Sequence, residues 1–495
     1  MDHARTETGA VSASETDVTR HDVEAVSKGE RRELYKSREP IFPKRMDGTF
    51  RRIKWAAMAV LLGIYYLTPW IRWDRGPNAP DQAVLLDLPA RRFYFFWIEI
   101  WPQEVIYLTG ILILAALGLF LATSLAGRLW CGYACPQTVW TDLFIMVERF
   151  FEGRRNARIK LHKAPWTANK IVRKTAKHIT WLVIAMATGG AWVFYFADAP
   201  TLAHDLVNLD APPVAYITIG ILTFTTYLLG GFAREQVCIY MCPWPRIQGA
   251  MVDEDTLVIT YRRNRGEPRG PHKKGASWEG RGDCVSCRQC VVVCPMGIDI
   301  RDGLQLECIQ CGLCIDACND IMDKVGRPRG LIAYDTDANV ERRLRGEAPR
   351  YRLMRPRTVI YATLFVAVGA LMLWSLATRS PLDVNIIRDR NPLYVTLSDG
   401  RIRNGYTVKI LNKAHQSNDF TISLSGLPGA DLKIVGLEPG EPVTVPADSL
   451  RAVQLYVTAP RHGLAGSSTP VSFAVTNLET GLSYREDTSF KGPAR

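Results

Sequence analysis

Hydrophobic positions along the 495 residues fall into two regimes. Before about residue 378 they come as unbroken runs, at 55–71, 105–126, 179–196, 214–232 and 358–377. Each approaches or reaches the roughly 20 apolar residues that cross a bilayer as a helix. The pattern therefore predicts five transmembrane helices, the first softened at its end by Pro69, with Trp55, Trp70, Trp101, Trp181, Trp192 and Trp374 at interfacial positions. Buried core helices of a soluble protein do not need such length with so little charge. From 379 onward the pattern changes to short alternating runs, at 406–411, 420–424, 453–457 and 471–475, broken by turn signals at 398–400, 404–405, 428–429 and 439–440. That alternation predicts an all-β immunoglobulin-like sandwich over 379–495, without a disulfide. Residues 1–54 are polar and lack an apolar core segment, so they read as a mobile cytoplasmic tail and not a signal peptide.

Charge turns the runs into a topology. The net charge is +12, which would suit nucleic acid if it were spread out, but the basic residues cluster in a few loops beside apolar runs. Segment 127–178 holds eleven lysines and arginines and 233–357 is also rich in them, whereas 74–104 has three and 197–213 none. The positive-inside rule then places the amino terminus in the cytoplasm and the carboxyl-terminal sandwich on the exported side of the membrane. This divides the chain into a membrane domain at 55–261, a cytoplasmic domain with its leading linker at 262–357, and a fifth helix at 358–377. The Gly-, Pro- and Arg-rich stretch 262–283 reads as a flexible juxtamembrane linker attracted to anionic lipid, or as a docking surface for an acidic electron donor.

All twelve cysteines fall in four motifs, which is the usage of metal chemistry on a reducing face and not of a disulfide scaffold. Cys284, Cys287, Cys290 and Cys294 follow C-x2-C-x2-C-x3-C spacing, and Cys308, Cys311, Cys314 and Cys318 repeat it. Three close thiolates hold three irons of one [4Fe-4S] cubane and the fourth reaches the other cluster, as in bacterial two-cluster ferredoxins. The expected sets are crossed: Cys284, Cys287 and Cys290 with Cys318, and Cys308, Cys311 and Cys314 with Cys294. A zinc ribbon would instead use two separated C-x2-C pairs. Pro295 follows the first run as the pattern asks, while Asn319 replaces the second proline.

Two further pairs, Cys131/Cys135-Pro136 and Cys238/Cys242-Pro243, lie 107 positions apart, each after a membrane run, and read as an internal repeat. Positions i and i+4 share a helix face, so neighbouring helices could converge four thiolates, which suit Cu(I), zinc or another iron–sulfur cluster. No phosphate-binding glycine motif is present, and no histidine sits inside a membrane run, so neither a bound nucleotide nor a transmembrane haem pair is expected. His415 and His462 read as ordinary surface histidines.

Taken together, Cys131-Gly-Tyr-Ala-Cys135-Pro136, Cys238-Ile-Tyr-Met-Cys242-Pro243, the paired cluster motifs and the sandwich tail resemble the FixG/RdxA/CcoG family of cbb-type cytochrome oxidase accessory proteins. The membrane-ferredoxin part is also similar to NapH and NosR. The resemblance implies two [4Fe-4S] clusters and copper bound by Cys131, Cys135, Cys238 and Cys242. It implies cytoplasmic reduction of Cu(II) to Cu(I) for oxidase assembly, with a copper chaperone or assembly factors as partners. An electron donor in the cytoplasm, a periplasmic partner of the sandwich and membrane lipid complete the expected partners, without nucleic acid. The other function class is a membrane electron relay or assembly scaffold serving a partner redox enzyme.

Overall fold

The structure is a computed structural model that describes residues 40–493 apart from 77, 78, 274, 381 and 465. It divides into two units. One runs through Ile71 and from Ala83 to Met372; the other takes Arg72–Gln82 and the chain from Leu373 onward.

In the first unit three helices among the described residues are long and apolar enough to cross a membrane: Pro102–Ala126, Pro213–Ala233 and Pro356–Ala377. The runs at 55–71 and 179–196 are also helical, but their helices, Thr49–Leu67 and Ala168–Val193, begin upstream among basic residues. Those basic first turns are tied to the amphipathic helix Pro136–Glu152, whose buried face repeats at helical spacing through Thr138, Asp142, Ile145, Glu148 and Glu152. Arg51 bonds Asp142 at 2.9 Å, and Lys174 and Lys177 meet Glu152 at 3.0 and 2.9 Å.

Two expectations are corrected here. The expected tail 1–54 does not extend to 54: the helix starts at Thr49, and Lys44 donates from its backbone to Val292. Residues 1–39 lie outside the described residues. The helix start is fixed from a distance, because Gly48 offers no capping side chain and Asp316 instead accepts the Phe50 and Arg51 N–H groups at 3.2 and 2.8 Å. The expected flexible linker 262–283 is packed structure. Arg265 pairs with the buried Asp283 at 2.6 Å, and His272 stacks on Trp278 with ring centroids 3.8 Å apart. A sheet of Val84–Asp87, Arg92–Phe95 and Ile98–Ile100 also fills a connection where alternation was too short to read as strands.

The second unit is a two-sheet sandwich. One sheet orders Asp431–Ile434, Ser449–Ala459, Ile402–Asn412 and Leu382–Arg388, with Val395–Thr396 on the third; the other orders Val443–Val445, Asn418–Ser425, Ser468–Asn477 and Ser483–Lys491. Alternate residues of each long strand face inward. Tyr406, Val408, Ile410, Phe420, Phe473 and Phe490 are fully buried between the sheets. No cysteine falls here, so apolar packing holds the sheets together with a few cross-sheet hydrogen bonds, such as Tyr406 Oη to Ser489 O at 3.0 Å and Asn404 Nδ2 to Lys491 O at 2.7 Å.

Candidate electron-transfer site

The two ferredoxin-type loops are the same turn made twice, 24 residues apart. Ser286 and Gln310 are left-handed at φ 54° and 53°, and Arg288 and Gly312 at φ 55° and 76°. These reversals fold three cysteines of each run around one point. Cys284, Cys287, Cys290 and Cys318 line a small cavity with Tyr261, Arg301, Ile321 and Leu331. Cys294, Cys308, Cys311 and Cys314 line another with Ile259, Met296, Ile298 and Leu313; Cys290 lies on the wall of both. Crossed membership is what two cubanes require.

Backbone donors are aimed at the sulfurs: the Gln289 N–H at Cys287, those of Met296, Gly297 and Ile298 at Cys294, Gln310 at Cys308 and Ile332 at Cys318. Such N–H···S contacts favour negatively charged cluster sulfur. Burial pushes the Cys294, Cys308 and Cys318 thiols up to about 12, and Cys290 and Cys314 well above their ordinary value. Bare thiolates are therefore costly in these cavities, and ligation must release protons. The residues fit one cluster in each cavity. Asn319 is explained too: it lies inside the helix Leu313–Lys324, where proline would break the ladder, and its Oδ1 accepts the Gly330 N–H at 2.8 Å.

The C-x3-C-P pairs are brought together as well. Cys135 donates its N–H to Trp130 O at 2.9 Å and Cys242 to Val237 O at 2.8 Å, the same five-residue closure 107 positions apart. The second copy is π-helical over Val237–Met241. Cys238 has Cys135, Cys131 and Cys242 as electrostatic neighbours, and burial first, then those neighbours, pushes its thiol up to about 12. Cys131 is likewise up to about 12, chiefly from burial and then Cys135, and its thiol contacts Gln248 Oε1 at 3.3 Å.

This four-cysteine group is docked on the second loop. A Cβ at Gly132 would stand 2.7 Å from Ile309 O and 3.2 Å from Cys311 Cα, and the Tyr133 hydroxyl donates to Cys311 O at 3.0 Å. Cys131 and Cys238 pack against the same apolar core as Ile309 and Cys311.

Comparison with known proteins agrees with this arrangement. Residues 233–337 match the family described as "4Fe-4S dicluster domain", 108–156 a "4Fe-4S binding domain", and 372–493 the "IG-like fold at C-terminal of FixG, putative oxidoreductase". Nitrogen fixation protein FixG of Rhizobium meliloti (strain 1021) is 53% identical over 90% of this chain and 92% of its own. Protein RdxB of Cereibacter sphaeroides is 54% identical over 93% and 97%. The chain belongs to the FixG/RdxA/RdxB family. This FixG-family protein also resembles the ferredoxin-type protein NapH of Escherichia coli (strain K12), at 20% identity over 43% of this chain and 65% of NapH. It is an iron–sulfur protein with apolar helices fit for a membrane and an immunoglobulin-like carboxyl-terminal domain.

Sequence reasoning missed two parts of the FixG-family site. One is the buried ion-pair frame on Pro136–Glu152, where Glu148 meets Arg158 at 3.3 Å and Arg234 at 3.0 Å; a helical repeat of acidic residues at 142, 148 and 152 was the available signal. The other is the contact made by Arg128, which precedes the first C-x3-C-P motif as Arg234 precedes the second, and whose backbone and guanidinium reach the second loop from 180 residues away. No sequence signal announces that contact. His415 is not a bare surface histidine, since its Nδ1 lies 2.8 Å from Asp448.

Proposed function

We propose that this protein reduces Cu(II) to Cu(I) at the cytoplasmic face of the inner membrane, supplying Cu(I) for assembly of cbb-type cytochrome oxidase. The proposal takes the topology as five membrane helices with a cytoplasmic amino terminus and a periplasmic sandwich. Cys284, Cys287, Cys290 and Cys318 would hold one [4Fe-4S] cluster and Cys294, Cys308, Cys311 and Cys314 the other. These clusters supply single electrons at low potential. Cys131, Cys135, Cys238 and Cys242 bind the copper substrate, and four soft sulfur donors favour the Cu(I) product over Cu(II). The supporting observation is the direct seating of this four-cysteine group on the loop that carries Cys308 and Cys311, through Gly132 and Tyr133.

A second reading has its own support, because the 4Fe-4S binding domain match over 108–156 includes Cys131 and Cys135. On that reading the four cysteines hold a further cluster and the protein relays electrons to a partner enzyme. Anaerobic purification with iron and sulfide analysis separates the two, since the relay requires three clusters' worth of iron and the reductase two. Adding Cu(II) to the reduced protein, freed of dithionite, should return the oxidised-cluster absorbance in step with Cu(I) captured by a chelator. Cys131→Ser with Cys238→Ser should abolish this while both clusters persist. Unchanged absorbance after Cu(II) would end the reductase proposal.

A further inference from the structure

Arg128 is buried, 5% exposed, and among the described residues it has no ion pair with a carboxylate. That is unusual for an interior guanidinium, which is costly without a counter-charge. Its hydrogen bonds go to neutral carbonyls: Nη1 to Leu306 O and, at 3.5 Å, to Cys308 O, and Nη2 to Pro245 O at 2.6 Å. Its own N–H donates to Gln310 Oε1 at 2.9 Å. Its electrostatic neighbours come from both sulfur sets, Cys308 from one and Cys131, Cys238 and Cys242 from the other, and Arg128 and Cys308 line one cavity. Compare Arg234, before the second motif, which is neutralised by Glu148 at 3.0 Å. Arg128, unlike Arg234, makes no ion pair among the described residues, although Asp253, Glu254 and Asp337 line the same cavity.

We infer that Arg128 is a positioning residue that serves as the shared counter-charge of the four-cysteine group and the Cys294/Cys308/Cys311/Cys314 set. Its fork ties two segments together, the helix Trp244–Met251 at Pro245 and the loop carrying Leu306 and Cys308, so the charge cannot follow one sulfur set away from the other. The arginine lining the Cys284/Cys287/Cys290/Cys318 cavity, Arg301, is neutralised by Asp299 at 2.5 Å, so the two cluster sites are electrostatically unequal. Two consequences follow. A monovalent soft metal bound at the four cysteines displaces at least two thiol protons to water and leaves a net negative thiolate complex, which draws on the same positive charge that favours the reduced state of the nearer cluster. Occupancy of one set therefore opposes added negative charge on the other, and the effect is reciprocal. This rests on the proposed function only in taking the four cysteines as a metal site.

The test uses the full-length protein in detergent, with Ag(I) as a redox-inert probe for Cu(I). Ag(I) affinity is read by competition with a soluble thiolate chelator, and cluster potentials by EPR-monitored redox titration with and without Ag(I). One unit charge at several ångströms, under an effective dielectric of about 20, is worth about tenfold or more. Arg128→Met should weaken Ag(I) binding about tenfold and lower the potential of one cluster only, by about 59 mV per tenfold change in its reduction equilibrium. In the wild type, Ag(I) should lower that same cluster's potential and leave the other in place. Arg128→Lys, which keeps the charge, should restore most of the affinity. The inference is overturned if Arg128→Met leaves affinity and potentials unchanged, if it moves both clusters equally, or if Lys behaves as Met does. Absence of paramagnetic clusters from the wild type would instead overturn the proposed function, a distinguishable failure.

Discussion

Gly132 offers the sharpest check on the seating of the four-cysteine group. It lies inside the helix Leu129–Tyr133, so by intrinsic propensity alone Gly132→Ala should stabilise the chain by about 0.5–1 kcal/mol. The packing opposes this. The added Cβ would meet Ile309 O at 2.7 Å, Gln310 O at 3.1 Å and Cys311 Cα at 3.2 Å, all backbone atoms, where ordinary contact begins at 3.4 Å. No side chain can rotate away, so the loop carrying Cys308 and Cys311 must move by several tenths of an ångström. Overpacking of this kind costs roughly 1–3 kcal/mol, which outweighs the propensity gain. Thermal unfolding in detergent should show Gly132→Ala below the wild type. Gly63→Ala, in a helix with nothing within 4 Å of the new methyl group, should be neutral or slightly stabilising. The displacement should also slow electron transfer from the reduced clusters to Cu(II), with iron content unchanged. A Gly132→Ala protein as stable as the Gly63 control would refute the docking.

Other substitutions probe separate parts of the structure. Burial alone would raise the Glu148 carboxyl, but Arg234 and Arg158 outweigh it and hold it below the usual carboxylate range. Glu148→Gln, which strands two buried guanidiniums, should cost about 3–5 kcal/mol near neutral pH. Because the folded value is depressed, this stability is present above the unfolded value of about 4.3 and lost as pH falls through the folded one. The gap between wild type and variant in unfolding temperature should therefore narrow below about pH 4, and a constant gap would contradict the ion pair. Asn319→Pro, restoring the residue expected after the fourth cysteine, should cost about 3 kcal/mol by breaking the helix and should reduce occupancy of the Cys318 cluster site, read as iron per protein. Phe473→Ala, which empties a fully buried site against Tyr406, should cost about 3–5 kcal/mol in the sandwich, seen as protease sensitivity after residue 379, while iron content stays constant.

The cysteine register was legible because cluster chemistry fixes ligand spacing along a short stretch of chain. The crossed sets follow from runs of eleven residues, and the structure needed only to close them through left-handed Ser286, Arg288 and Gln310. Alternation in the carboxyl-terminal strands and apolar runs at 105–126, 214–232 and 358–377 were legible for the same reason, since period and length are local properties. Long-range partners were not. The start of the first helix depends on a carboxylate 265 positions away at Asp316, and the linker 262–283 is ordered by Asp283 and Trp278 against composition that reads as flexible. Spacing alone allowed the two C-x3-C-P pairs to converge but did not say on what. Only the fold decided that they meet the second cluster loop through Gly132 and Arg128, because close approach and burial of charge depend on which segments pack together.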